Sequence, residues 1–306
     1  MQLYLCRMQF NLQHRCLGHT SGVYDLIKLT DKTFLSASGD RLVVSWNIDQ
    51  PEQGNLIARA SDSIYSICYL EDKNELLIGQ AKGEIHIIDL SNNQEKKLLK
   101  VNEKGIFSIV ENKSKSKVYV LGGDGVLSVL STVDYSLIFK QKISSMKLRS
   151  IFFDKELNKT FVGCGEGMFY VFNDDTMETT YSNQLSKQGF SINVITNYSD
   201  EVILCGGRDA HLRWIHKKDY TVVNAIPAHN YAIYKISFSP DKKMFATASR
   251  DKTLKIWDAA TQEILQRIEH SNDGHSNSVN TLVWMDDNTL VSAGDDRSIN
   301  IWRLSY

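Results

Sequence analysis

The chain repeats a unit of about 42 residues along its length, and this repetition restricts its possible folds more than any other feature. The clearest copies are SASGDRLVVSWNID, TASRDKTLKIWDAATQE and SAGDDRSINIWRL, in which an acid precedes a tryptophan by six residues. Weaker copies carry an apolar or aromatic residue at the tryptophan position. The seven marker residues are Trp46, Ile88, Leu130, Phe172, Ile215, Trp257 and Trp302, separated by 42, 42, 42, 43, 42 and 45 residues. Such a period predicts an array built from one supersecondary unit.

Each unit has the pattern of short antiparallel strands. In the sixth unit, the runs AIYKISFS, KMFATAS and TLKIWDA alternate in polarity and are rich in β-branched and aromatic residues. The short segments PDK and RDK separate them and supply the turns. Four short strands in about 42 residues is the size of one propeller blade. We therefore predict an all-β chain that folds as a seven-bladed β-propeller of four-stranded antiparallel blades.

The marker residues and the histidines before them resemble the signatures of a known family. The GH and WD signatures of WD-repeat proteins are similar to Gly18-His19, Trp46, Ala228-His229, Trp257-Asp258, Gly274-His275 and Trp302. The resemblance is strong in units one, six and seven, and in units two to five it rests on spacing and strand pattern. It implies a WD40 β-propeller that spans residues 1–306 as a single domain. It does not name a function, because one fold hosts many functions.

The two ends of the chain indicate how the ring closes. Only four residues follow Trp302, so the seventh unit lacks an outer strand, whereas residues 10–16 precede the first unit. Propellers of the family close by using an N-terminal strand in the last blade, and we expect residues 10–16 to take that role. Closure would remove an exposed strand edge. Residues Met1–Arg7 are expected to form a frayed tail.

Ser, His and Asp residues recur together and invite comparison with a hydrolase triad. The resemblance implies instead two buried structural tetrads, in which His bridges the acid and Ser, and Ser accepts the indole N–H. These tetrads are His19, Ser38, Asp40 and Trp46 in the first unit, and His229, Ser249, Asp251 and Trp257 in the sixth. In the seventh unit Gly294 occupies the serine position, so we expect that network to be incomplete.

A partner-binding surface is predicted from the residue that follows the buried residue opening each inner strand, because that residue points away from the core. These residues are Tyr24, Tyr65, Phe107, Arg149, Asn193, Tyr234 and Asn280, and the aromatic residues and Arg149 among them are the predicted binding residues. The resemblance implies that they line the top face together with the residues before the turn acids, which include Arg208 and Arg250. Aromatic residues and arginine are enriched at protein interfaces. An arc of Arg149, Arg208 and Arg250, with Lys147 nearby, would favour a carboxylate-bearing or phosphorylated ligand.

Composition excludes several classes of function. Lys plus Arg is 35 and Asp plus Glu is 36, so no overall field favours nucleic acid. No apolar run is long enough to span a membrane. The five cysteines contain no CxxC pair, which argues against a zinc site and favours reduced thiols in a cytoplasmic protein. No phosphate loop or cofactor motif is present. The run KSKSK, residues 113–117, is expected to form a solvated turn on the face opposite the partner site.

These patterns lead to one main hypothesis and one alternative. The main hypothesis is a non-enzymatic scaffold, monomeric or weakly oligomeric, that binds a protein or peptide on its top face, with an acidic partner as one candidate. No cofactor, metal, nucleic acid or membrane is expected. The alternative is an enzyme of lyase or hydrolase type with a pocket at the mouth of the channel. His, Glu and Lys gathered at the rim would support it, and the rim residues named above include none.

Overall fold

The computed structural model describes residues 9–185 and 189–305, within which the chain forms 28 strands. The expected tail Met1–Arg7 lies outside the described residues. Each blade is listed here from its inner to its outer strand. Blade 1 has β2 (Val23–Lys28), β3 (Thr33–Ser38), β4 (Leu42–Asn47) and β5 (Gln50–Arg59); blade 2 has β6 (Ile64–Leu70), β7 (Glu75–Gln80), β8 (Glu84–Asp89) and β9 (Gln94–Lys100); blade 3 has β10 (Ile106–Asn112), β11 (Lys117–Gly122), β12 (Val126–Ser131) and β13 (Leu137–Lys142).

The remaining blades follow the same scheme. Blade 4 has β14 (Leu148–Asp154), β15 (Lys159–Cys164), β16 (Met168–Asn173) and β17 (Thr179–Gln184); blade 5 has β18 (Ile192–Asn197), β19 (Val202–Gly207), β20 (His211–His216) and β21 (Val222–Pro227); blade 6 has β22 (Ile233–Phe238), β23 (Met244–Ser249), β24 (Leu254–Asp258) and β25 (Ile264–Ile268); blade 7 has β26 (Val279–Asp286), β27 (Thr289–Gly294), β28 (Ile299–Ser305) and, as its outer strand, β1 (Gln9–Cys16).

The seven blades form a ring around a central channel. Each inner strand contacts the inner strands of both neighbouring blades, and β26 of blade 7 contacts β2 of blade 1. All strand pairs are antiparallel. The predicted all-β, seven-bladed propeller is therefore confirmed.

The ring closes through the N-terminal strand, as predicted for residues 10–16. Strand β1 pairs with β28, with Leu12 opposite Trp302 and a bulge between Leu12 and His14. The Phe10 ring packs edge-on against Trp284 at 5.5 Å and is 4% exposed. Neighbouring blade 6 also holds the strand, because the Gln266 amide accepts from the Phe10 backbone N–H and donates to the Phe10 carbonyl. Both ends of the described chain are thus tied into one sheet.

The hydrophobic core lies between the blades. The described residues form seven apolar clusters, and each cluster joins two adjacent blades around the ring. A sheet with two apolar faces needs a neighbour on each side, and a closed ring provides both. The seven marker residues are all at most 4% exposed, at the second-to-last position of the third strand in six blades and within β28 in the seventh. The period found in the sequence therefore records a core position.

The turns between the second and third strands repeat one backbone conformation. The residue after the acid position has a positive φ in every blade, and these residues are Arg41, Gly83, Gly125, Gly167, Ala210, Lys252 and Arg297. Gly83 shows why glycine is used, because a Cβ there would lie 2.1 Å from the Asn102 carbonyl oxygen. These tight turns place the acid beside the loop that enters the same blade. We call the face that carries these turns and loops the top face.

Helical structure is confined to short 3-10 segments in the part of the chain that the structure describes. They are Glu71–Lys73, Lys113–Lys115 and His270–Asn272. None is long and apolar enough to cross a membrane.

Candidate functional site

The predicted set of residues at the start of the inner strands meets at one end of the central channel. The opening residues Val23, Ile64, Ile106, Leu148, Ile192, Ile233 and Val279 are the first residues of the seven inner strands and are buried. The residues that follow them all line a channel of about 1030 Å³: Tyr24, Tyr65, Phe107, Arg149, Asn193, Tyr234 and Asn280. We call this top-face opening the channel mouth.

Aromatic rings form a continuous wall along blades 1 to 3. Tyr65 and Phe107 are stacked, with centroids 5.1 Å apart and planes 3° from parallel. Tyr24 meets Tyr65 edge-on at 5.5 Å. No hydrogen bond to either tyrosine hydroxyl is present among the described residues. We call Tyr24, Tyr65 and Phe107 the aromatic wall; it offers apolar ring faces and free phenol groups in one place.

A group of cations continues the wall into blades 4 and 5. The Arg149 guanidinium lies 5.2 Å from the centre of the Phe107 ring, and the Lys147 ammonium lies 5.5 Å from it. Burial, followed by the charges of Arg149 and Arg208, lowers the pKa of Lys147. Burial likewise lowers the pKa of Arg149. We call Lys147, Arg149 and Arg208 the cation cluster.

The cation cluster has no acidic partner within residues 9–185 and 189–305. None of its three members forms an ion pair or a side-chain hydrogen bond there, and the buried Nε of Arg149 is without an acceptor. Arg213, a partly buried arginine of the neighbouring blade 5, is by contrast paired with Asp209. Arg250, the third member of the predicted arc, is exposed and has no contact that joins it to the cluster. The cations that lie together are therefore centred near Lys147 and do not include Arg250.

Two of the seven mouth residues form hydrogen bonds that link adjacent blades. The Asn193 side-chain amide donates to the Ile233 carbonyl of the next blade at 2.9 Å. Asn280 donates to the Val23 carbonyl across the closure of the ring, at 3.1 Å, and to Asp295 at 2.7 Å. Their hydrogen-bonding groups are engaged within the ring. The sequence pattern placed all seven residues at the mouth, and the predicted binding residues did not include Asn193 or Asn280; the bonds that these two make between blades were not predicted.

Tyr234 stands apart from the aromatic wall. Its phenol is close enough to Arg149 to influence that guanidinium electrostatically, and it makes no stacking contact with the other described mouth rings. Below the mouth, Lys235 and Asp25 face each other across the channel, with Lys235 Nζ 3.4 Å from Asp25 Oδ1. This pair was not predicted.

The tetrads are present, but the hydroxyl residue differs from the prediction. His19 Nδ1 lies 2.8 Å from Asp40, and its Nε2 lies 2.8 Å from Ser36 Oγ, not from Ser38. Trp46 Nε1 donates to the same Ser36 oxygen at 2.8 Å. Ser38 donates instead to the Ser21 carbonyl. The assignment of Ser38 was therefore wrong by two residues.

The sixth blade shows the same correction. His229 Nε2 lies 2.7 Å from Thr247 Oγ1, which also accepts the Trp257 indole N–H at 3.0 Å. Ser249 instead donates to the Tyr231 carbonyl. Burial lowers the pKa of His229, which favours the neutral imidazole. Burial alone would raise the pKa of Asp251, but the interaction with His229 and the hydrogen bonds from Thr253 and the Asn230 backbone N–H hold that pKa below its usual range.

The network of the seventh blade is complete, contrary to expectation. Ser292, two residues before Gly294, lies 2.8 Å from His275 Nε2 and accepts from Trp302 Nε1 at 2.8 Å. His275 Nδ1 in turn lies 2.9 Å from Asp296. In all three tetrads the hydroxyl side chain is fully buried and accepts the indole N–H. Such a hydroxyl cannot reach a substrate, so the tetrads stabilise the blades.

The run KSKSK lies on the face opposite the channel mouth, between β10 and β11. Its first part forms the 3-10 segment Lys113–Lys115. Lys115 pairs with buried Asp174 at 2.9 Å, and Lys113 pairs with Asp72 at 2.7 Å. Lys113, Ser114 and Ser116 are exposed, as expected for a solvated turn, and the two lysines also connect the segment to blades 2 and 4.

Comparison with known proteins identifies the repeat. The family model described as "WD domain, G-beta repeat", WD40, matches residues 10–47, 220–258 and 266–303. Each matched range begins in the outer strand of one blade and continues through three strands of the next. This offset between sequence repeat and blade is the reason that the N-terminal strand closes the ring.

Several relatives share this repeat. WD repeat-containing protein 55 of Mus musculus is 22% identical over 225 residues, which are 73% of this chain and 58% of that protein. Its homolog in Drosophila persimilis is 20% identical over 79% of this chain and 48% of that protein. The ribosome biogenesis protein WDR12 homolog of Drosophila mojavensis is 32% identical over 95 residues, which are 27% of this chain and 23% of that protein. The chain spans about half the length of the first two relatives.

A solved structure shows the same fold. The WD40 β-propeller domain of Doa1 has a TM-score of 0.85 with 16% identity, and 96% of each chain is covered. The chain therefore carries WD40 repeats over residues 10–47, 220–258 and 266–303, and it shares the β-propeller fold of a solved WD40 domain, with seven blades.

Proposed function

We propose that the protein is a non-enzymatic scaffold that binds a protein or peptide at the channel mouth. The observation that carries this proposal is the unbroken run from Tyr24 through Tyr65 and Phe107 to Arg149, whose rings and guanidinium touch one another in sequence. Aromatic and arginine side chains dominate the energy of protein interfaces, because they bury much area around a directional polar group. WD40 relatives in general use propellers as platforms for interactions, which supports the same view.

The rigidity of the mouth favours binding. Each mouth residue directly follows a buried residue of an inner strand, so its backbone position is set by the ring. A partner that docks there would order few side chains of this protein, and the entropic cost of association would be low. Free phenol groups and unpaired cations would gain hydrogen bonds on binding, since they have no partners in the described chain.

The alternative is an enzyme with a pocket at the same mouth. A lyase or hydrolase would need an accessible nucleophile or a matched acid and base. The hydroxyl, imidazole and carboxylate groups that resemble a triad are buried in the tetrads, which favours the scaffold. Turnover of a substrate that Tyr65→Ala abolishes without loss of fold would favour the enzyme instead.

The compartment and process are also proposals. The four described cysteines are free and buried, and burial raises the pKa of Cys16 and Cys68 to about 12, which suits a reducing compartment such as the cytoplasm. One relative is named for ribosome biogenesis. Ribosome-assembly complexes are therefore the first in which we would look for a partner.

The test is affinity purification of the tagged full chain from its native cell, repeated with Tyr65→Ala/Tyr234→Ala. We expect a partner whose affinity falls about 100-fold or more in the double variant, because two anchor residues are lost. The matched control is Leu98→Ala/Val223→Ala, which removes apolar side chains that are 48% and 58% exposed on outer strands. A partner lost equally from both variants, or from the control alone, would place binding on the outer strands and contradict the proposal.

A further inference from the structure

We propose that the channel mouth recognises an extended peptide segment in which a carboxylate side chain, Asp or Glu, binds the cation cluster while neighbouring apolar side chains pack on the aromatic wall. This inference rests on the proposed function, and it adds the chemical class of the partner. The segment would follow the ring from blade 4 to blade 1.

The charge of the cation cluster points to the carboxylate. The buried lysine of the described chain, Lys217, is paired with Asp154, and the two side chains are 4% and 7% exposed. Half-buried Arg149 lacks any such acid, and its buried Nε–H has no acceptor. A carboxylate accepts from the Nε edge of a guanidinium through two parallel hydrogen bonds. One carboxylate would therefore supply both the negative charge and the hydrogen-bond acceptor that Arg149 lacks.

The position of Arg149 ties the acid to an apolar neighbour. Its guanidinium lies 5.2 Å from the Phe107 ring centre, and Phe107 lies 5.1 Å from Tyr65. A carboxylate bound at Arg149 therefore brings the adjoining residues of its own chain over the aromatic wall. Three steps of 5.1–5.5 Å lead from Arg149 to Tyr24, which an extended segment of about five residues covers at ~3.3 Å per residue.

The far side of the mouth carries the opposite charge and argues against a polyanion. Asp295 in blade 7 accepts from Asn280, and Asp25, which lies 3.4 Å from Lys235, lines the channel in blade 1. The pKa of Tyr24 is raised, first by burial and then by the charge of Asp295. A nucleic acid laid across the mouth would meet these carboxylates, because its phosphates recur along its whole length. One carboxylate at blades 4 and 5 avoids them.

The test uses a displayed library of random seven-residue peptides selected on the immobilised full chain. We expect enriched peptides to share an Asp or Glu within five residues of aromatic or aliphatic residues. One enriched peptide is then synthesised with its acid, with Gln or Asn in its place, and with phosphoserine. Loss of the acid should weaken binding at least tenfold, and raising the salt concentration should weaken the acidic peptide more than the neutral one.

Variants of the protein locate the effect. In Lys147→Gln/Arg149→Gln/Arg208→Gln the acidic and neutral peptides should bind within about twofold of each other, because the three charges of the cation cluster that distinguish them are gone. The matched control is Lys142→Gln, an exposed lysine on outer strand β13 with no ion pair in the described chain, which should keep the tenfold preference. Thermal melts confirm that each variant is folded.

The outcomes separate this inference from the proposed function. Peptides that require Tyr65 but carry no acid, or whose neutral analogue binds equally well, would overturn the inference and leave the scaffold proposal intact. A phosphoserine analogue bound more than tenfold tighter would also overturn it. Peptides whose binding Tyr65→Ala leaves unchanged, or a selection that enriches none, would overturn both.

Discussion

The indole nitrogen of Trp46 donates to Ser36 Oγ at 2.8 Å, and the same oxygen lies 2.8 Å from His19 Nε2. Blades 6 and 7 repeat this arrangement with Thr247 and Ser292. With Nδ1 of His19 donating to Asp40, Nε2 is free to accept the serine proton. One buried hydroxyl thus satisfies an indole and an imidazole, and links two strands of the blade to the loop that enters it.

Removal of this hydroxyl should destabilise the fold. Ser36→Ala leaves the Trp46 N–H and the His19 Nε2 buried without a partner, and we expect a loss of about 1–3 kcal/mol in the free energy of unfolding. Urea denaturation measures it. Ser45→Ala on the neighbouring strand is the control, because that half-buried hydroxyl makes no hydrogen bond in the described chain. Equal losses from the two variants would show that the tetrad adds nothing.

The repeat period predicted the fold because it marks a core position. A buried marker residue every 42 to 45 residues gives one core position in each blade. Because side chains alternate along a strand, the residue that follows each opening residue then points to the channel. Alternation could not distinguish Ser36 from Ser38, since both point to the same face of β3. The pairing of Phe34 with Trp46 decides between them, and that register is a property of the folded sheet. A separation of ten residues between hydroxyl and tryptophan in three units was the signal that could have identified it.

The candidate site was predicted in outline only. Tyr24, Tyr65 and Phe107 were identified from their position along the inner strands, because equivalent positions in the seven units lie at equivalent places on the ring. It could not show that Asn193 bonds to the next blade, or that Arg250 stands apart from the other cations. Those facts depend on side-chain contacts between blades, which lie about 40 residues apart in sequence.

Acid should weaken the seventh blade through Asp296. Burial opposes its ionisation, but bonds from His275 and Ser298 lower the pKa of Asp296 from 3.8 to about 2. Its stabilising contribution of roughly 2 kcal/mol is therefore complete above about pH 4 and disappears as the pH falls toward 2.

The stability difference between the wild type and Asp296→Asn measures this contribution. Urea unfolding at several pH values should show a difference that is largest above pH 4 and shrinks below it. Asp200→Asn serves as the control, because Asp200 is exposed and has no hydrogen bond in the described chain. A difference that stays constant between pH 5 and pH 2.5 would contradict the assignment.

Ring closure should depend on Phe10. This side chain is 4% exposed against Trp284, so Phe10→Ala leaves a cavity between blades 6 and 7 and should cost about 3–5 kcal/mol. The melting temperature and urea midpoint report the loss. Exposed Gln13, on the same strand, provides the control Gln13→Ala, for which little change is expected. If Phe10→Ala melted like the wild type, the N-terminal strand would not be essential to closure.

A buried ion pair lies between blades 4 and 5. Removing its cation alone should destabilise the fold more than removing both charges. Lys217 Nζ lies 2.6 Å from Asp154 Oδ2, with both side chains nearly inaccessible. Lys217→Met leaves the Asp154 carboxylate buried without its cation, and we expect a loss of about 3–5 kcal/mol. Adding Asp154→Leu removes the stranded charge and should restore part of the stability, although the hydrogen bond that the Leu157 N–H donates to Asp154 is lost as well. The exposed pair Lys113 and Asp72 supplies the control Lys113→Met, which should change the urea midpoint far less, because solvent screens both charges. A double variant less stable than Lys217→Met would contradict this expectation, because it would mean that Asp154 stabilises the fold even without its cation.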